Sequence, residues 1–286
     1  MTRRISPTVR RRRLSAVLRQ LRHQHGKTLE AVADELEWSR GRLAHMEGNK
    51  WVRPDLGNIR QLLDYYEVTD EADREEIISL ARQSRERGWW AKKYRDIFGT
   101  DSLVGFEEEA SVISTWQPVV IPGLLQTEGY AAASVRASLA RPSEEVTRRV
   151  EARMTRQQIL ASDQPPTVWA VIDESALHRI PIEDGVAAGQ LRHLIDMAED
   201  PDNEVTIQIL PFSAGLHPGV SGPCVILDFP DAMDAPIVYL ESRTEGLFLE
   251  EPNEVSEYRL VFDHLQVTAQ SHADSIRTMK KIHDAL

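Results

Sequence analysis

Two kinds of apolar spacing divide the chain. Over the first ninety residues apolar side chains recur three and four positions apart, the repeat of an amphipathic helix. Leu14, Val17, Leu18 and Leu21 place one helix over 13–24, ended by His25-Gly26. Thr28 caps a second, Leu29 to Leu36, with Val32 and Leu36 on one face. After a break at Glu37-Trp38, Ser39 caps a third, Arg40 to Glu47, with Leu43 and Met46 inward and Gly48 closing it. Pro54-Asp55 opens a fourth, carrying Ile59, Leu62 and Leu63. Asp70 to Arg85 makes a fifth, carrying Ile77, Ile78 and Ala81.

Beyond Gly88 the pattern changes. Trp89-Trp90 opens an aromatic and basic bridge, whose tryptophans either pin it onto the next domain or stack on unpaired bases. Glu107 to Ser114 reads as a helix, and Trp116 to Thr127, with two prolines and a glycine, as an extended buried connector. Tyr130 to Leu139 and Glu144 to Leu160 read as helices. The second has a stripe of Val146, Val150 and Met154, and a solvated face of Arg148, Arg149, Glu151, Arg153 and Arg156. Strand-like runs come next, at Thr167 to Ile172, Val205 to Leu210, Val225 to Phe229 and Ile237 to Leu240. A helix through Leu191, Leu194, Ile195 and Ala198 lies between the first two, and short turn-rich segments make the later neighbours antiparallel. Two helices close the chain, one starting at Asn253 and one at Ser271-His-Ala-Asp274, which resembles a capping box. The expected fold is an all-α helix-turn-helix N-terminal domain followed by an α+β C-terminal domain with a mainly antiparallel sheet. Its expected divisions are a basic arm at 1–13, the helix-turn-helix domain at 14–87, a linker at 88–106 and the α+β domain at 107–286.

Two short helices three or four residues apart inside a helical domain describe a helix-turn-helix. The stretch Thr28-Leu-Glu-Ala-Val-Ala33, the turn, and Ser39-Arg-Gly-Arg-Leu-Ala-His-Met-Glu-Gly-Asn-Lys50 resemble the Cro/repressor-type (XRE) DNA-binding domain of bacterial regulators. In that family a small residue, here Ala33, lets the two helices pack closely. This chain departs from the pattern at Glu37, where many members have glycine, and at Gly41, where a base-reading side chain often stands. A recognition helix in the major groove puts Arg40 and His45 within reach of bases, and Arg42 where it reads a base or clamps a phosphate. Thr28, Ser39, Asn49 and Lys50 fall where phosphates are held.

The segments Ile121-Pro-Gly-Leu-Leu-Gln-Thr, Val150-Glu-Ala-Arg-Met-Thr-Arg-Gln, Ile172-Asp-Glu-Ser-Ala-Leu, Leu210-Pro-Phe-Ser-Ala-Gly-Leu-His and Val238-Tyr-Leu-Glu together resemble the C-terminal domain of the WhiJ-like actinobacterial regulators. The resemblance implies a transcriptional regulator, often encoded beside a small companion protein. It brings no catalytic residues with it.

Charge sharpens the division. The first 60 residues hold 14 Lys and Arg against 6 Asp and Glu, and the rest 20 against 39, so a net −11 conceals a basic end. Only that end, including Arg3, Arg4 and Arg10 to Arg13, suits a polyanion. The stretch 228–257 carries nine Asp and Glu (Glu245 among them) against Arg243 alone. It repels DNA, docks a basic partner, or is a solvated face. No apolar run nears the roughly 18 residues that span a bilayer, and no apolar segment follows the N-terminal arginines as in a secretory signal. The expectation is a cytoplasmic, nucleoid-associated protein that binds double-stranded DNA as a homodimer.

Candidate chemistry is sparse. One cysteine, Cys224, excludes an internal disulfide framework. No zinc-protease, P-loop, dinucleotide or nucleophile-elbow motif stands in the sequence. No catalytic residue, metal or cofactor is assigned, and His264 and His272 lack metal-ligand spacing. The turn-rich loop Gly215-Leu-His-Pro-Gly-Val-Ser-Gly222, with His217 and Ser221, frames a ligand or partner contact or is a plain connection. A rival reading, a DNA-addressed enzyme, needs Glu174, His217 or Glu241 to converge in a pocket. A third is an interaction protein holding a companion.

Overall fold

The computed structural model describes residues 6–51, 53–99, 102–138, 142–181, 185–242 and 246–286. Arg3, Arg4, Arg243 and Glu245 lie outside the described residues. Two compact units appear, Thr2–Glu109 and Ala110–Leu286.

The first unit is helical: α1 (Pro7–Gln24), α2 (Leu29–Glu35), α3 (Arg40–Glu47), α4 (Leu56–Tyr65), α5 (Glu71–Gln83), and three short helices α6 (Trp89–Lys93), α7 (Arg95–Phe98) and α8 (Leu103–Glu107). The residues expected to face inward do so. Leu14, Leu18, Val32, Leu43, Met46, Ile59, Leu62 and Leu63 form one core with Trp38, Tyr66 and Ile78. Caps set the starts of the helices. Thr28 Oγ1 accepts from Ala31 N at 3.2 Å, Asp55 Oδ1 from Asn58 N at 2.9 Å, and Asp70 Oδ1 from Ala72 and Asp73 N at 2.9 and 3.0 Å.

The ends of α1, α2 and α4 repeat one device. A left-handed residue comes after each helix, and the next amide reaches back five residues: Lys27 to Arg22, Trp38 to Ala33 and Val68 to Leu63. These are Schellman closures. Their left-handed positions are Gly26, Glu37 and Glu67, with φ of 61°, 55° and 49°. The end of α3 is built the same way, with Lys50 N donating to His45 O and Asn49 left-handed at φ 53°. The residue that turns the chain out of α3 is therefore Asn49, and Gly48, expected in that role, keeps φ −86°. Asparagine tolerates this conformation better than other side-chain-bearing residues.

Residues 7–13 and 88–106, read from the sequence as an arm and a linker, are folded parts of this unit. Arg10 to Arg13 sit within the first two turns of α1, and Arg11 and Arg12 are buried. Arg10 and Ser6 N both donate to the Glu109 carboxylate, and Ser6 Oγ donates to Gly105 O. Glu109 is itself buried, so an internal carboxylate takes the Arg10 charge instead of leaving it to a polyanion. Trp90 fills the space under Gly88 and Gly105, where an added Cβ would fall 2.0 and 2.9 Å from its ring. Trp89 meets Trp90, Tyr94 and Phe98 edge-on at 5.9–6.2 Å. Packing claims both tryptophans.

The second unit is built on six strands: β1 (Val112–Gln117), β2 (Thr167–Asp173), β3 (Val205–Leu210), β4 (Cys224–Asp228), β5 (Ile237–Glu241) and β6 (Gly246–Leu249). Their order is β3-β2-β1-β4-β5-β6. The pairs β1·β2 and β2·β3 are parallel; β1·β4, β4·β5 and β5·β6 are antiparallel. Helices α9 (Glu128–Ser138) and α10 (Ser143–Gln157) lie between β1 and β2 in the chain, and α11 (Glu174–His178) and α12 (Val186–Glu199) between β2 and β3. Helices α13 (Pro252–Thr268) and α14 (His272–His283) close it. Val255, Phe262 and Leu265 of α13 pack on Trp116, Val171, Cys224, Ile226 and Val238.

The expected α+β class stands, and two details change. Residues 112–114, expected to end a helix, and Trp116-Gln117, expected to open an extended connector, lie in the strand 112–117 at the centre of the sheet, paired on both edges. Val112, Ile113, Thr115 and Trp116 are good strand formers, and sheet pairing overrides the weak helical spacing of 107–114. Consequently β3 and β4, expected to be antiparallel neighbours, stand three places apart, with β2 and β1 between them.

Candidate nucleic-acid interface

Helix α3 has one buried side and one open side. Leu43, Met46 and Glu47 are buried, and Arg40, Arg42 and His45 are exposed. At 100° per residue, Gly41 and His45 point most directly away from the core, and Arg40 and Arg42 flank them. A Cβ added at Gly41 would meet nothing within 4 Å, so no internal contact requires glycine there. The three side chains expected in the major groove therefore share one outward surface. Arg42 is oriented by Trp38, whose ring centroid lies 5.2 Å from the guanidinium carbon.

The phosphate candidates divide. Thr28, Ser39 and Lys50 are exposed. Thr28 is occupied in capping α2, and Ser39 precedes α3 without a side-chain cap bond. Asn49 is partly buried, and its Oδ1 is enclosed without a hydrogen-bond partner among the described residues. Its backbone turn is its clearest role.

Ahead of α2, Arg22, His23, Gly26, Lys27, Thr28 and Leu29 surround an open cleft of about 430 Å³. Lys27 carries no motif signal in the sequence, although it stands in the exposed turn directly before the cap at Thr28. Its ammonium pairs with Glu35 at 2.8 Å, and Tyr65 donates to the same carboxylate at 2.8 Å. The Lys27 and Tyr65 hydrogen bonds hold the Glu35 carboxyl below its ordinary value.

Beneath the surface lies an ion pair that sequence spacing could not reveal. Arg22 Nε lies 2.8 and 3.0 Å from the Glu47 carboxylate oxygens, and Nη2 donates at 2.8 Å. Arg22 Nη1 donates to Lys27 O at 2.9 Å, and Arg19 Nη2 to Glu47 O at 2.7 Å. Arg22 is 9% exposed and Glu47 3%. The pair fixes the last residue of α3 to α1, so the open side of α3 is held from below.

In the second unit the loop 211–222 folds into 3-10 turns at Phe212–Ala214 and Pro218–Ser221. His217 lies edge-on to Trp116 with centroids 5.3 Å apart, and Trp116 Nε1 donates to Gly219 O at 2.8 Å. Ser221 is exposed. Glu174 accepts from Phe212 N at 2.9 Å and lies 3.7 Å from His178. Both ring nitrogens of His272 lie on backbone carbonyls, Ile207 O at 3.1 Å and Ala198 O at 3.0 Å. Burial pushes the Cys224 thiol up to about 11. Asp228 pairs with Arg259 and Asp234 is buried, so the acidic stretch is not uniformly solvated. Among the described residues no group of three or more His, Cys, Asp or Glu could hold a metal ion, and no helix is long and apolar enough to cross a membrane.

A helix-turn-helix domain model matches residues 13–77. A domain of unknown function, DUF5753, matches residues 100–281. The chain belongs to the DUF5753 family. In this member the DUF5753 match covers the six-stranded sheet and nearly all of the closing helices, and a DNA-binding type of domain precedes it. No curated protein and no solved structure matches the chain.

Proposed function

We propose that the protein is a sequence-specific DNA-binding transcriptional regulator of the XRE type, close to the WhiJ-like group, and acts as a homodimer on a two-fold related operator. The observation that carries this reading is the outward surface of α3, where Arg40, Arg42 and His45 stand exposed over buried Leu43, Met46 and Glu47. Arg40 and Arg42 take guanines in a bidentate manner, and His45 reaches a base edge. Thr28, Ser39, Lys50 and, through its backbone, Asn49 face phosphates, which set register. One such module reads few bases, which favours a dimer. The absence of an apolar membrane-spanning helix among the described residues suits a nucleoid-associated protein of the cytoplasm.

We read the DUF5753 domain as the part that senses a ligand or partner and shifts operator affinity, not as an enzyme. Glu174, His217 and Glu241, the groups an enzymatic reading needs together, have separate neighbours: Phe212 N, the Trp116 ring, and a longer-range charge interaction with Arg153. Phe212, Leu216 and Val220 are 62%, 95% and 64% exposed, which suits a loop that meets a companion protein.

The test is selection of bound sequences from a random duplex pool with the full chain, then titration of the selected site. Arg40→Ala with Arg42→Ala should weaken specific binding by about 2–6 kcal/mol, at roughly 1–3 kcal/mol for each bidentate contact. Unchanged affinity for the selected site, or no site enriched at all, overturns the assignment.

A further inference from the structure

Arg40 and Arg42 look alike in sequence, and the structure separates them. Both are exposed in the first turn of α3. Arg40 has no hydrogen bond, ion pair or ring contact among the described residues. Arg42 lies over the Trp38 ring, with its Cζ 5.2 Å from the centroid. That is inside the roughly 6 Å reach of a cation–π contact. Arg42 makes no hydrogen bond or ion pair among the described residues, so its N–H donors stay open to a base.

Trp38 is a fixed platform. It is 8% exposed and belongs to the core that holds Val32, Leu43 and Leu62. Its amide donates to Ala33 O at 2.8 Å, in the closure that ends α2. Its indole Nε1 donates to Gln61 Oε1 at 3.2 Å, which ties the ring to α4. The tryptophan is thus held through both backbone and ring. Arg42, one helical turn further on, is the flexible member of the pair.

Ordering a long, unconstrained side chain at an interface weakens binding by roughly two- to tenfold. Arg42 meets part of that loss before DNA arrives, and Arg40 does not. Contact through the guanidinium face also leaves its edge of N–H donors open. That edge is the part that matches guanine O6 and N7.

We propose that Trp38 is a positioning residue for base recognition: it holds the Arg42 fork in its reading orientation, so discrimination at the base pair read by Arg42 depends on Trp38 and discrimination at the Arg40 pair does not. This role rests on the operator binding proposed above and names a determinant of its specificity.

The test is base discrimination by the full chain. The site selected by wild type, and every single-base change of it, are titrated at one salt concentration. Arg40→Ala and Arg42→Ala first mark the base pair that each arginine reads. Trp38→Leu keeps an apolar filling and removes the ring. Discrimination at the Arg42 pair should then fall about two- to fivefold, the worth of an exposed cation–π contact, while the Arg40 pair keeps its value. Trp38→Phe restores a ring face and should recover most of the loss. Should Trp38→Leu not fold, Trp38→Met takes its place. In the Arg42→Ala background Trp38→Leu should lower discrimination no further, because a residue acting through Arg42 has nothing left to position. A check without DNA is the NMR shift of the Arg42 δ protons, which should lie upfield in wild type and Trp38→Phe and move downfield in Trp38→Leu. An unchanged Arg42 pair, an equal fall at every pair, a further loss in the Arg42→Ala background, or no shift difference overturns the proposal. So does an Arg42→Ala chain that loses affinity evenly across all sequences, the mark of a phosphate clamp. Failure of the operator reading looks different: wild type then enriches no site at all.

Discussion

The ion pair under the recognition helix makes a quantitative prediction. Glu47→Ala removes the acceptor of three Arg22 contacts, all between 2.8 and 3.0 Å. Arg22 is 9% exposed, so water replaces the carboxylate poorly. Breaking a buried pair by removing one partner costs about 3–5 kcal/mol, most of it from the charge left behind. The Lys27 carbonyl still accepts from Arg22 Nη1, which places the expected cost near the lower end. Arg22→Met with Glu47→Leu removes both charges. It leaves that carbonyl without its donor, a loss of about 1–2 kcal/mol, so the double variant should be more stable than Glu47→Ala alone. The assay is native-state hydrogen exchange of the full chain, read on peptides from α3. This isolates opening of the first unit from unfolding of the second. A loss of about 3 kcal/mol speeds exchange through that opening roughly a hundredfold, at tenfold per 1.4 kcal/mol. Acceleration of less than about tenfold in Glu47→Ala, or a double variant more labile than the single, would refute the view that an uncompensated charge sets the cost.

Three further outcomes rest on local geometry. Glu37 holds φ 55° in the turn between α2 and α3, where a residue with a Cβ is strained by about 1–2 kcal/mol; Glu37→Gly should raise the unfolding midpoint of the first unit, and a lower midpoint would show that the Glu37 side chain contributes. Gly41→Ala adds a methyl with nothing within 4 Å and should stabilise α3 by up to about 1 kcal/mol, while operator affinity falls if the backbone lies close to DNA; equal affinity would remove any role for glycine in that approach. Gly219→Ala sets a Cβ 2.8 Å from Trp116 Nε1 and 3.0 Å from Leu265 Cδ1, and should destabilise the second unit by about 1–3 kcal/mol in thermal unfolding, leaving α3 exchange unchanged.

The helical unit was legible because its information is local. Thr28, Asp55 and Asp70 cap the helices they precede, and the inward residues keep to the helical repeat. What escaped was long-range. Nothing near Arg10 announces Glu109 almost a hundred residues later, so a folded helix start looks like a basic arm. Spacing cannot pair Arg22 with Glu47 either, because the pair exists only once α1 and α3 are packed.

The sheet failed in sequence for one related reason. A central strand is buried on both faces and loses the alternation that marks a half-exposed one. In β1 the alternation runs from Val112 to Thr115 and breaks at Trp116, where neighbours on opposite faces are both buried. With β1 unseen, residues 118–127 look like a connector between helices. With β1 in place, they become the turn at the carboxyl end of the middle strand, beside the point where pairing changes direction. The arginines of α10 then cease to be an arbitrary charged face. One of them, Arg153, donates to Gln126 Oε1 at 2.6 Å, and Gln126 Nε2 donates to Ile121 O at 2.7 Å, so α10 is tied to that turn.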